Sequence, residues 1–158
     1  MKNTVQHILT LLLLLLICSG VICLGGDLTV TGSWTEMIDS LDLQAGAGSD
    51  LIDTYESASN TVAIDIIAPT NWRVDVKKSD TNWHANFQLY VRRTSDGSGS
   101  GSISGGTSYQ EITDTDQSFF NGTLDRSNIT GQLELTGVSV QIPVDTYTTT
   151  VYYTVVEI

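Results

Sequence analysis

The chain has 158 residues, with 18 acidic and 7 basic side chains, a net charge of −11 and only two cysteines. An acidic balance of that size repels nucleic acid and anionic membrane surfaces, so neither is an expected partner. Both cysteines, Cys18 and Cys23, lie near the amino terminus, which leaves the rest of the chain without a disulfide, a thiol nucleophile or a cysteine-based zinc site.

Residues 1–25 read as a secretory signal peptide. Lys2 supplies positive charge, residues 8–16 form an apolar run broken only by Thr10, and small residues follow at Ser19, Gly20, Gly25 and Gly26. Cleavage after Gly25 is favoured over cleavage after Gly20. A lipoprotein reading is disfavoured, because Ile17 and Ile22 rather than small residues precede the two cysteines. Left uncut, residues 8–24 would just reach the length of a spanning helix and would hold the protein at a membrane. The expected location is therefore outside the cell or on its surface. The acting unit is one domain, residues 26–158, with six cations against 18 acids, six minus eighteen, a net −12. At about 132 residues it buries somewhat under 70% of its unfolded surface, enough for a core without covalent staples.

Period-two alternation dominates the domain and helical spacing is nearly absent, which predicts an all-β fold. Leu28, Val30 and Trp34 share one face of a first strand. Residues 37–43 are ambiguous, and residues 44–49 form a small-residue turn. Val62, Ile64 and Ile66 make an inward face that ends at Pro69, and Trp72, Val74 and Val76 continue it. Residues 83–92 give a long alternation, with Trp83, Ala85, Phe87, Leu89 and Val91 inward and His84, Asn86, Gln88, Tyr90 and Arg92 outward. Residues 95–108 are rich in Gly and Ser and read as a flexible hairpin tip whose shortening costs little. Residues 109–113, 118–120, 129–135 and 138–142 are further short strands, and residues 147–158 a long last one. Eight or nine such strands predict an antiparallel two-sheet sandwich of immunoglobulin-like type.

Catalytic chemistry has little to work with. His84 is the only histidine after the signal segment, and a Ser–His–Asp arrangement would need it oriented by a buried carboxylate. Asp114 and Asp116 formally supply a glycosidase acid and base, but they sit in a polar turn where solvation is the expected role. A non-enzymatic protein is the expectation. Trp34, Trp72 and Trp83 fall on inward phases and are expected to be core residues, whereas Tyr90 and Tyr152 have the outward phase and would flank a shallow site for surface glycans. No cofactor is expected. Calcium is the one ion the acids would suit, through Asp39, Asp42, Asp50 and Asp53 in one stretch and Asp114 and Asp116 in another. Asn121-Gly-Thr and Asn128-Ile-Thr are glycosylation sequons near expected turns, and Asn121-Gly122 also fits a hairpin turn.

Val138-Ser-Val-Gln-Ile-Pro, with the Thr/Tyr/Val run from Thr146, resembles the closing strands of secreted prokaryotic pilin-like and spore-coat-U-like sandwiches. Ala68-Pro-Thr-Asn-Trp-Arg-Val-Asp-Val is similar to mid-domain strands of the same group. The resemblance implies an immunoglobulin-like sandwich serving as a cell-surface or fibre subunit. Self-association through a sheet edge is a separate expectation, since cleavage would leave residues 27–34 as a free terminal strand. Residues 27–34, carrying Leu28, Val30 and Trp34, are the candidate exchanged strand, although pairing within the chain is favoured because it avoids the entropy lost on association.

Overall fold

The computed structural model describes residues 26–158, and the expected signal segment lies outside the described residues. Ten strands follow in order: β1 (Asp27–Gly32), β2 (Tyr55–Glu56), β3 (Val62–Ile67), β4 (Asn71–Asn82), β5 (Gln88–Arg93), β6 (Ile103–Gly105), β7 (Gln110–Glu111), β8 (Gln117–Thr123), β9 (Arg126–Thr136) and β10 (Thr148–Glu157). They form two antiparallel sheets, one of six strands in the order β1-β3-β9-β5-β7 with β2 also on β9, the other of four in the order β10-β4-β8-β6. The all-β sandwich is as expected, with one or two more strands than the alternation suggested.

The core lies between the sheets, as the pleat requires of alternating apolar residues. Ile64, Ile66, Leu89, Val91, Ile129 and Leu133 come from the six-stranded sheet and meet Trp72, Val74, Val76 and Phe120 from the four-stranded one. Phe119 and Phe120 are adjacent yet both buried. A bulge allows this: Val74 pairs with Phe120 and Asp75 with Ser118, so Phe119 is the extra residue and turns inward with its neighbour.

The chain switches sheets between β8 and β9 at Leu124, whose φ of 56° makes a sharp corner. Trp72 holds that corner. Its indole N–H donates to the Leu124 carbonyl at 2.8 Å, while Ala68 N–H donates to Asp125 Oδ1 at 2.9 Å. Gly122, directly across from Trp72 on β8, leaves room for the ring: a Cβ there would lie 2.5 Å from Cζ2 of the indole. Asn121-Gly122 is accordingly inside a strand and not a hairpin turn.

Three further expectations are corrected. Residues 83–87 do not continue a strand, because β4 runs on to Asn82 and the chain then turns before β5. Alternation persists through that turn by composition alone. Residues 138–142 are also not a strand: Gly137 at φ 84° ends β9, and the following chain is tied to Asp50 instead of to a sheet. The Gly/Ser segment 95–108 is no free hairpin tip. It contains β6, which pairs with β8, and it packs along the β8–β9 corner through a Ser98–Ser127 bridge.

Candidate functional site

The two flanks of the sandwich differ. One carries β1 and β10 as outer strands, six and ten residues long, and a Cβ on Gly26 would lie 3.5 Å from Val155 Cγ2, so these edges sit side by side. The other flank ends in β7 and β6, of two and three residues. All six residues of β1 pair with β3 of the same chain, the favoured intramolecular arrangement. Its apolar face is weaker than expected: Leu28 is half-buried, Val30 is 37% exposed, and Trp34 lies beyond the strand with its indole N–H on Glu36.

Among the described residues β10 pairs only with β4. Ile158 N–H donates to the Asn71 carbonyl on the side of β4, and antiparallel ladders alternate, so the even-numbered residues of β10 bond to β4 and the odd-numbered ones turn their N–H and C=O outward. Lys78 confirms the phase, since this partner of Val151 sends its N–H away from β10 to the Thr113 carbonyl. Val151, Tyr153 and Val155 thus offer backbone groups to the open edge, while their side chains pack on the core. Thr150, Tyr152 and Thr154 point to solvent.

Tyr90 and Tyr152 do not flank one site. Tyr90 is on the outer face of the six-stranded sheet and Tyr152, 49% exposed, on the outer face of the four-stranded one, so the thickness of the sandwich separates them. Parity gave the outward phase correctly but carries no information on which sheet a strand joins. Tyr90 instead lies in a cross-strand row with Glu134 and Glu111, and Glu134 continues it to Glu56. Tyr109 lies over this face, donating to Glu56 Oε1 at 2.9 Å under the Arg92 guanidinium, 4.6 Å from its ring. Burial and that bond push the Tyr109 hydroxyl up to about 12. Burial and the neighbouring Glu56 carboxylate raise Glu134 above the usual range. The outward phase of Tyr90 and Arg92 was legible in the sequence, but their acidic neighbours come from distant strands.

At the end of the sandwich below β5, Lys78, Asp80, Trp83, His84, Gln88 and Glu111 line an open cleft of about 450 Å³. Its aromatic rings are occupied by one another. Trp83 is half-buried rather than fully buried, with its N–H on the Phe87 carbonyl at 3.1 Å and Lys78 Nζ 5.2 Å from its ring. His84 packs edge-on against Phe87 and Tyr147, and its Nδ1 accepts from Asn86 N–H at 3.3 Å.

The carboxylates considered for calcium are not brought together: among the described residues no three His, Cys, Asp or Glu side chains converge to hold an ion. Asp39 and Asp42 close a reciprocal cap on the short 3-10 turn Ser40–Asp42. Asp53 accepts from the Thr54 hydroxyl at 3.3 Å, Asp116 pairs with Lys77 at 2.9 Å, and Asp114 lies on the rim of the cleft. Asp50 accepts from Leu51 N–H and Val140 N–H, both at 2.8 Å, and from the Ser139 hydroxyl at 3.1 Å. The Val140 and Leu51 amides hold its pKa below the usual carboxylate value. Local turn geometry uses these acids first, because an unpaired loop amide next to an Asp is a nearer donor than an ion.

Asp50 therefore gives a pH signature. With a native pKa below the unfolded one, its contribution is fully present above about pH 4 and is lost as the pH falls through the native value. Urea midpoints of the parent and Asp50→Asn are expected to differ at neutral pH and to converge on acidification. A gap that stays constant down to the lowest accessible pH would contradict the assignment.

Both sequon asparagines are exposed on strands instead of in turns. Asn121 lies in β8 and its Oδ1 accepts from the Ser104 hydroxyl, and Asn128 occupies a bulge of β9 at φ 57°, its N–H on Asp65 at 2.7 Å. Comparison with protein-family models, curated proteins and solved structures found no match for this chain.

Proposed function

We propose that this chain is an exported, non-enzymatic structural or adhesive protein of the cell surface or extracellular space, an immunoglobulin-like sandwich that works by sheet-edge association. The observation that carries this reading is β10, a ten-residue outer strand with no proline, no glycine and one charge, Glu157. Proteins that must stay monomeric blunt such edges with lysine, proline, bulges or short strands. The opposite flank here is blunted by strand length, whereas β10, after one irregularity at Thr148, runs in unbroken register from Thr149 to Glu157. Export, read from the signal-like composition of residues 1–25, supports this reading, and so does the resemblance to pilin-like and spore-coat-U-like sandwiches.

Fractionation of exporting cells tests the reading. The protein is expected with the cell surface or in self-associated material. Recovery as a free monomer that binds insoluble polysaccharide would replace this reading with that of a carbohydrate-binding module.

A further inference from the structure

We infer that two copies of this chain pair through β10, antiparallel about a twofold axis beside Val151, to make one continuous eight-stranded sheet from two four-stranded ones. The inference rests on the structural reading above and names the partner and the contact.

The backbone pattern is self-complementary. Odd-numbered residues of β10 present both N–H and C=O outward, and a twofold at Val151 sets Val151 against its own copy and Thr149 against Tyr153, odd against odd, as an antiparallel ladder requires. On the outer face the same register sets Thr150 against Tyr152, a favourable β-branched and aromatic cross-strand pair.

Charge selects this strip as well. Two bodies of net −12 repel on most approaches, but β10 carries only Glu157, and the adjoining β4 holds Arg73, Lys77 and Lys78, half of the six cations in residues 26–158. Each is matched to an aspartate, Asp75, Asp116 and Asp80 respectively, so with Glu157 the strip holds three cations against four acids, a net of only −1. A second copy can therefore approach here with least repulsion.

The geometry also sets the size of the assembly. Long open edges lie on one flank only, and the other ends in the short β6 and β7. Pairing long edge to long edge uses the same surface twice and closes as a dimer. A fibre would have to grow from such pairs through a different contact.

Light scattering on the chain purified after export, over a wide concentration range, tests the pairing. A monomer–dimer equilibrium that tightens with added salt is expected, since salt screens repulsion between the acidic bodies. Val151→Pro removes an outward N–H without touching the ladder to β4, as edge strands tolerate. It should weaken dimerisation at least about tenfold with the circular dichroism spectrum unchanged. Thr150→Lys/Thr154→Lys, on exposed positions, should do the same without a proline. A dimer that survives both variants, or open polymers in the parent, overturns the β10 pairing and leaves the structural reading standing. A parent that stays monomeric yet remains with the cell surface also overturns the pairing alone. Only a free, unretained monomer removes both.

Discussion

Replacing Trp72 with alanine is expected to lower stability by about 3–5 kcal/mol, the range for deleting a fully buried large aromatic. Trp72 has 0% exposure, packs edge-to-face on Phe120 at 6.0 Å and donates its indole N–H to the Leu124 carbonyl. Its loss removes a core side chain and also frees the acceptor at the corner where the chain changes sheets. The denaturant midpoint should fall with little change in slope, because the surface exposed on unfolding is nearly the same. Gly122→Ala attacks the same contact from β8 and should cost about 1–3 kcal/mol, since the added methyl meets both the indole and the Ser102 carbonyl, 2.6 Å away. The double variant should cost less than the two singles summed, because the methyl then fills space the ring has left. Additive losses would show that the Ser102 carbonyl, not the ring, is what requires glycine at 122.

Cutting residues 96–105 down to a tight turn is expected to cost about 3–5 kcal/mol, although loop entropy alone would change stability by less than about 1 kcal/mol. The difference lies in Arg93, whose side chain is 4% exposed. Its partners are the Gly105 carbonyl, at 3.0 Å from Nε, and the Asp96 carboxylate, and both belong to the excised segment. Removing them strands a buried cation, and burying an unpaired charge is among the costliest single lesions. The glycines report on the same packing. Gly97 has φ 64° and lies against the backbone of Asn128 and Ile129, and a Cβ on Gly101 would collide with the backbone carbonyl of Thr123. Gly101→Ala should therefore cost about 1–3 kcal/mol, where an alanine in a free loop would be neutral or slightly stabilising. Equilibrium unfolding of the excised variant within about 1 kcal/mol of the parent would return the segment to the role of a passive tip.

The all-β class and most of the core could be read from the chain because inward and outward phases repeat every two residues, a local property. Ile64, Ile66, Trp72, Val74, Val76, Leu89 and Val91 were each placed inward by that rule, and each is buried. The same rule failed at residues 83–87 and 138–142, where alternation continues without a strand neighbour to make it a strand. Composition misled at residues 95–108 for a related reason. Glycine frees an isolated chain, but it also allows the close backbone approach by which this segment packs on the β8–β9 corner.

What the tertiary structure decided is everything that depends on which strands meet. Tyr90 and Tyr152 have the same parity but opposite sheets. Asp50 and Val140 are 90 positions apart, so no local pattern shows that the acid is spent on that amide rather than on an ion. The last strand was legible as a strand from its Thr, Tyr and Val content. That it is an outer strand, with odd-numbered backbone groups unpaired toward one flank, follows only from the sheet order. Side-chain periodicity is written residue by residue, whereas an edge is a property of the whole sheet.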